Sequence, residues 1–423
     1  MTNLLFIGQH FPPGMMRSLG RDTRGRAGFS NHNFETALMR GFASRPDTVM
    51  RAITVPLQYS WPRSSSRLRI PRESYSFEGV PVRGVGYLNL PAFSMLMTSE
   101  AMTRAIREEI EKFEGEDVYI VINTPLLPVG EALRRLKGRV SKRIHTTLIV
   151  PDIPSCVASM AGMGGLKGRV MGHINSRAMS LAREYDRYVF LTGAMNDFFN
   201  VPADRFMVME GLVEPTPQDD AAEAGAAPGM EGRGEGEPDV VLYTGSLFEV
   251  FGVMRLVEAF LAGNFRNAEL RICGSGDTAG NLRAIAARHP SVKFLGLLGA
   301  EETRKLQRRA AILANPRPAG GEYTRYSFPS KTLEYLAAGK PVVMNRLPGI
   351  PEEYDPYVVY PADESPRAWT EALRRLLEMT PRQREAIGEA GRRFVTRCKT
   401  PQVQTGRIMD FITSATTGKG NDY

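Results

Sequence analysis

Lys331 and Glu334 stand three residues apart, directly after the Gly- and Pro-rich stretch Asn315-Pro-Arg-Pro-Ala-Gly-Gly that leads to Ser327-Phe-Pro-Ser330. The pattern predicts a strand ending near Ala314, a loop, a helix opening at Ser330 and a further strand over Pro341 to Met344. A helix start presents unpaired N–H groups and the positive end of its dipole, which favour an anion, and Lys331 adds a full charge beside them. Glu334, one turn inside, can accept two hydrogen bonds from a vicinal diol. Together these residues form a candidate holder for a sugar nucleotide, with diphosphate on the amides and Lys331 and ribose on Glu334. Arg317 is a second candidate cation, serving phosphate or pairing with a carboxylate. Tyr243-Thr-Gly-Ser-Leu247 adds a strand-ending glycine turn that lets backbone approach a phosphate. Ile272-Cys-Gly-Ser-Gly-Asp277 is either a second such turn, with Gly274 and Gly276 against the nucleotide, or an ordinary tight turn.

The first half carries its own candidates. Arg17, Arg21, Arg24 and Arg26 fall within ten residues, followed by Gly28-Phe-Ser-Asn-His-Asn-Phe-Glu35 opening a helix. The arginines either bind a lipid-linked pyrophosphate or form a solvated basic loop. Asn31 and His32 either touch substrate or cap and pack the helix start. Asp152, in Leu148-Ile-Val-Pro-Asp-Ile-Pro154, follows a strand at the end where α/β sheets place their sites, as a substrate contact or a plain turn residue.

These residues need a scaffold of alternating strands and helices, and the hydrophobic pattern supplies one. Strands are expected at Asn3–Gly8, Thr48–Val55, Val118–Asn123, His145–Val150 and Arg187–Leu191. In the second half they are expected at Val240–Tyr243, Glu269–Cys273, Val292–Leu295, Ile312–Ala314 and Pro341–Met344. Two parallel-sheet lobes follow: residues 1–213 and 239–392, with 393–423 as a helix crossing back to the first lobe. A chain of 423 residues exceeds what one core usually serves. Residues 214–238 are Pro-, Gly- and acid-rich and read as a flexible linker. Charge follows the same division. Lys+Arg outnumber Asp+Glu by 27 to 19 in residues 1–213 and by 26 to 20 in 239–423, whereas the linker carries one against seven.

Basic lobes suit anionic partners such as sugar nucleotides, polyprenyl phosphates or acidic membranes; no nucleic-acid signature accompanies them. Three scattered cysteines provide neither a disulfide framework nor a CxxC metal site. No apolar run reaches the ~18 residues of a spanning helix, and no basic region precedes Leu4 to Ile7, so a cytoplasmic protein is expected. Tyr87 to Met97 is apolar and irregular, and Arg134 to Arg143 strongly basic. They are either core and a solvated helix face, or a surface for an anionic leaflet.

The Asn-Pro-Arg, Ser-Phe-Pro-Ser-Lys and Glu-Tyr-Leu segments, in this order, resemble the donor-site signature of family 4 glycosyltransferases, most closely a bacterial exopolysaccharide and capsule branch. The resemblance implies a GT-B fold, two Rossmann-like lobes with a cleft between them. It implies a retaining, metal-independent transferase using a nucleotide-sugar, here expected to be UDP-linked, and no further cofactor. The acceptor would be a glycan or a polyprenyl-diphosphate-linked oligosaccharide, with the leaving phosphate helping to deprotonate it. It puts Gly28 beside acceptor and donor phosphates, Gly349 in a loop closing the donor pocket, and Lys331, Arg317 and Asp152 at the chemistry. The sequence departs from the family where Ser246 and Phe251 replace an Arg and a Lys that grip the diphosphate. It departs again at Tyr326, which replaces the first of two glutamates. Lys331 and Arg317 are the expected substitutes for the lost cations. Two rivals are a non-catalytic GT-B binding subunit and a sugar-nucleotide epimerase.

Overall fold

A computed structural model describes residues 1–16, 30–55, 65–90, 93–153, 165–214 and 236–417. Gly28, the four arginines of residues 17–26 and residues 215–235 of the expected linker lie outside them. Backbone contacts divide the chain into two units, Met1–Glu210 with Pro401–Tyr423, and Gly211–Thr400.

The first unit is built on a sheet of eight strands among the described residues. They are β1 (Thr2–Gly8), β2 (Thr48–Thr54), β4 (Ser74–Phe77), β5 (Val80–Gly84), β7 (Asp117–Asn123), β8 (Arg143–Val150), β9 (Arg187–Phe190) and β10 (Phe206–Val208). Their order is β10-β9-β8-β7-β1-β2-β5-β4, parallel throughout except for β4 against β5. The central strands are buried on both faces, which is why they read as unbroken apolar runs such as Leu4 to Ile7 and Val118 to Ile122. Helices α1 (Ser30–Ala43), α2 (Phe93–Ile110), α3 (Leu127–Leu136) and α4 (Gly165–Ala182) connect strands of this sheet. Sequence periodicity misses the hairpin over residues 69–88. Its arms are β3 (Arg69–Ile70) and β6 (Tyr87–Leu88), paired as a separate antiparallel ribbon beside β4 and β5. The part of the apolar run beginning at Tyr87 is thus strand, and Phe93 opens α2.

Among the described residues the second unit has six parallel strands in the order β13-β12-β11-β14-β15-β16. They are β11 (Asp239–Ser246), β12 (Ala268–Ser275), β13 (Val292–Gly296), β14 (Ile312–Asn315), β15 (Val342–Met344) and β16 (Val358–Val359). The crossover helices are α5 (Val253–Gly263), α6 (Ala279–Arg288), α7 (Ala300–Arg309) and α8 (Ser330–Ala337), followed by α9 (Pro366–Leu377) and α10 (Pro381–Cys398). Its core joins Val241 and Tyr243 of β11 to Leu270 and Ile272 of β12, under Phe260 of α5 and Trp369 of α9.

The C-terminal boundary differs from the expectation of residue 393. Helix α10 starts in a capping box, Thr380 with Gln383, and runs through to Cys398. A Cβ at Gly388 would lie 2.1 Å from the Gly339 carbonyl oxygen, so α10 is pressed on the end of α8 and stays with the second unit. A new helix, α11 (Pro401–Thr417), begins at a proline whose missing N–H costs nothing at a helix start. It packs on α1, where Gly41 leaves room for the Pro401 carbonyl, and Arg187 stacks on Phe411 at 4.4 Å.

Candidate active site

The expected strand Val240–Tyr243 continues through Gly245 to Ser246 because β12 continues beside it. Gly245 and Gly274 are paired in parallel register, with φ of +145° and +151°. A side chain at either position is strained, and a Cβ on Gly274 would fall 1.7 Å from the Gly245 oxygen. Gly276 is equally constrained, its Cβ position lying 2.3 Å from the Leu247 carbonyl carbon. The Tyr243 hydroxyl donates to the Ser246 carbonyl at 2.7 Å and holds the turn closed.

Lys331 lies across that turn. A Cβ on Gly245 would sit 1.9 Å from Lys331 Cε and 2.3 Å from Nζ, so the side chain occupies the space the glycine leaves. Burial pulls the ammonium below the ordinary lysine range; Glu334 opposes that shift, and Arg317 adds to it. Lys331 and Ser330 form the first turn of α8, whose N-cap is Pro329 with no side chain capping the amides. An anion is the natural partner for such a helix start.

Glu334 is held from below. Gln307, on α7 and buried, donates to Glu334 Oε1 at 2.8 Å and to Thr244 Oγ1 at 3.0 Å. The Thr244 N–H donates to the Tyr335 hydroxyl at 2.9 Å, which returns a bond to the Thr244 carbonyl at 3.1 Å. The strand-end turn and the carboxylate are therefore tied to one polar network. Glu334 itself is exposed and free to reach a ligand with its remaining acceptor capacity.

Arg317 is buried, its guanidinium 4.7 Å from the Tyr323 ring and 5.9 Å from Phe251. It thus overlies the aromatic residue that stands where a lysine was expected. Its loop is anchored by Asn345, which donates to the carbonyls of Pro316 and Arg317 at 3.2 and 3.0 Å and accepts from Trp369 Nε1 at 2.9 Å. Asn315, at the end of β14, is buried with no acceptor for its Nδ2 among the described residues. Tyr326 is buried with the Arg325 guanidinium over its ring at 5.7 Å, and Gly349 is buried in the turn after β15. A cavity of about 330 Å³ opens beside Tyr323, lined also by Val250, Gly252, Met254 and Pro318. Neither Lys331 nor Glu334 lines it.

In the first unit, Asn31 and His32 come together with residues not singled out from the sequence. Glu35 on α1 is fully buried beneath Gly8, where a Cβ would lie 2.8 Å from its carboxyl carbon. It accepts from the Gln9 N–H at 2.8 and 2.9 Å, from Asn123 at 2.7 Å and from Asn31 at 3.4 Å. Burial raises its pKa to about 7 against the pull of those donors. His32 Nδ1 accepts from the Phe11 N–H at 3.3 Å, and its ring centre lies 4.5 Å from that of His10. His10 pairs with the Tyr75 hydroxyl at 2.7 Å, and burial, with the charges of His32 and Arg40, takes its pKa down to about 3. Asn31 and His32 thus shape the turn after β1. Asp152 is exposed two residues beyond β8. No cluster of three or more His, Cys, Asp or Glu side chains suited to a metal ion occurs among the described residues.

Residues 238–379 match the family described as glycosyl transferases group 1. Solved structures match along nearly the whole chain. Sucrose-phosphate synthase from Thermosynechococcus elongatus is 14% identical over 99% of this chain and 100% of its own, with a TM-score of 0.62. A UDP-forming α,α-trehalose-phosphate synthase from Burkholderia xenovorans is 13% identical over 99% and 100%, with a TM-score of 0.62. Anabaena HepE, solved in complex with UDP, is 14% identical over 98% and 100%, with a TM-score of 0.58. No curated protein matches the chain by sequence. The chain has the GT-B fold of these structures, and residues 238–379 match a glycosyl transferase domain.

Several residues that organise these candidate positions in the two units escaped sequence reasoning. Asn123, Asn315 and Asn345 share a signal, each standing at or just beyond the end of an apolar parallel strand. Gln307 showed only as a polar residue within the charged helix α7, and its burial is not visible from charge pattern.

Proposed function

We propose that the enzyme transfers a sugar from a nucleoside diphosphate sugar, UDP-linked, to a glycan or polyprenyl-diphosphate-linked oligosaccharide during cell-surface polysaccharide synthesis. The observation that carries this reading is Lys331 laid across Gly245 at the open start of α8. In this reading the ammonium, the glycine backbone and the helix amides together receive the diphosphate. Charge-assisted bonds to phosphate contribute roughly 1.5–3 kcal/mol each, and Lys331 and Arg317 replace the cations absent at Ser246 and Phe251. Glu334, oriented by Gln307, receives the ribose hydroxyls. UDP in the names of two solved neighbours supports the choice of nucleotide.

In this reading the reaction is retaining and needs no metal. Lys331, Arg317 and the α8 amides stabilise the negative charge that grows on the departing diphosphate. Its oxygen takes the acceptor proton, and Asp152 orients the acceptor hydroxyl. Asn31 and His32 bound the acceptor side, while Gly274, Gly276, Tyr326 and Gly349 shape the donor side. The exposed Arg134, Arg135, Lys137 and Arg139 give a face for an anionic cytoplasmic leaflet, consistent with a peripheral enzyme.

Calorimetric titration with UDP and GDP, on wild type and Glu334→Ala, tests the donor site. UDP binding that weakens sharply in the variant is expected. Binding of neither nucleotide at millimolar concentration would overturn the proposal.

A further inference from the structure

The first unit holds a second cavity, of about 500 Å³, to which the donor reading assigns no role. It is built by the bend in the 69–88 hairpin. A Cβ at Gly84 would lie 2.2 Å from the Glu73 carbonyl oxygen, and one at Gly86 2.7 Å from the Arg72 nitrogen. Only glycine lets the arms fold this closely, and the fold carries Arg69 and Arg72 over the cavity mouth. Helix α2 forms another wall, with Ala101 and Ala105 leaving space and Arg104 on the same face. The Val85 N–H bonds to the Thr54 carbonyl at 2.8 Å, so the cavity opens at the carboxyl ends of β2 and β5. That is the end where sheets of this kind bind ligands.

Its charge is unbalanced. Arg83 is buried in the wall, fixed by Glu108 at 2.7 Å and Glu109 at 3.4 Å. Glu109 is further shared by Arg51 at 2.6 Å and Lys112 at 2.7 Å. Arg104 meets Glu100 only at 3.9 Å, with both side chains largely exposed. Glu108 also feels the charges of Arg72 and Arg104, so the three lining arginines Arg69, Arg72 and Arg104 share Glu100 and Glu108, the latter already paired with Arg83, and the lining keeps a net positive charge. The remaining wall is apolar: Ile70, Val85, Tyr87 and Leu88. Leu88 is 37% exposed there.

We propose that this cavity binds a phosphate or diphosphate ester with an apolar organic part. The arginines at the rim take the anionic head by bidentate bonds. The volume exceeds a bare phosphate and falls in the range of organic-ligand pockets, so the apolar walls cover the first carbons of the ester. The inference does not depend on the donor assignment at Lys331.

The test is calorimetric titration of the full chain with geranyl diphosphate and with inorganic pyrophosphate. Four proteins are compared: wild type, Arg72→Ala/Arg104→Ala, Arg107→Ala and Lys331→Ala. Arg107 is exposed on α2 but does not line the cavity, and Lys331→Ala reports binding in the second unit. Geranyl diphosphate should bind more tightly than pyrophosphate. Its affinity should fall at least tenfold in the double variant and less than twofold in each single one. An equal loss in Arg107→Ala would mean surface charge alone and overturn the proposal. So would a loss confined to Lys331→Ala, or pyrophosphate binding as tightly as the ester. UDP affinity, measured in parallel, should be untouched by Arg72→Ala/Arg104→Ala, which separates failure here from failure of the donor reading.

Discussion

Replacing Gly245 by alanine adds a single methyl group, and it should disable Lys331 without touching it. The new Cβ would stand 1.9 Å from Lys331 Cε and 2.3 Å from Nζ, whereas carbon–carbon contact needs about 3.5–4.0 Å. The lysine is the flexible partner, so it must move by roughly 1.5–2 Å, enough to break a hydrogen bond of ordinary length. Loss of one charge-assisted contact to phosphate costs about 1.5–3 kcal/mol, or roughly 10- to 150-fold in UDP affinity. The backbone pays separately: at φ +145° an alanine is strained by about 1–3 kcal/mol. Calorimetry with UDP reads the first effect and thermal denaturation the second. A double-mutant cycle separates them, because Gly245→Ala in a Lys331→Ala background should still lower Tm yet leave UDP affinity nearly unchanged. If Gly245→Ala lowers Tm but keeps UDP affinity within twofold of wild type, Lys331 does not hold the donor there.

Gln307→Leu should raise the KM for the donor sugar nucleotide several-fold with a smaller change in kcat, since it frees Glu334 from its orienting bond; an unchanged KM would separate Glu334 from the ribose. Gly274→Ala should destabilise the second unit by about 2–5 kcal/mol, combining backbone strain with a clash against the Gly245 carbonyl, and a Tm within 2 °C of wild type would contradict the packing described. Glu35 has a folded pKa of about 7 against a reference of 4.5, so it keeps its proton when the unfolded chain has lost it. Stability of the first unit should therefore fall as pH rises from about 4.5 to about 7, by on the order of 3 kcal/mol relative to Glu35→Gln. Urea denaturation of the two proteins at pH 5 and pH 7.5 measures that difference, and parallel slopes would rule it out. His10, lowered to about 3, works in the opposite sense and removes stability as pH falls below about 6.5, in both proteins alike.

The parallel sheets were legible because strands buried on both faces leave apolar runs such as Val118 to Ile122 and Ile312 to Ala314. The 69–88 hairpin was not, because its bend depends on Gly84 and Gly86 meeting backbone atoms ten or more residues away, and its arginines look like surface. Lys331 and Glu334 were found through their place at a helix start. The contact of Lys331 with Gly245 joins residues far apart in the chain, and no spacing rule exposes it. Gln307 and Asn345 were missed for the same reason: each acts through a hydrogen bond to an element remote in sequence. The break between α10 and α11 was misplaced because both helices are amphipathic, and Pro401 reads as a start only once Lys399 is seen to end the preceding helix.

The return of α11 to α1 sets an order on the making of the molecule. The first unit encloses the second as an insertion, and a ribosome delivers the insertion before the helix that closes its host. Residues 1–210 must wait through the synthesis of about 190 more residues, some ten to forty seconds at roughly 5–20 residues per second, with the face of α1 around Gly41 uncovered. The inserted unit has all its described strands by Val359 and can complete itself first. A premature stop near residue 400 would therefore leave the inserted unit whole and strand the half that was translated earliest.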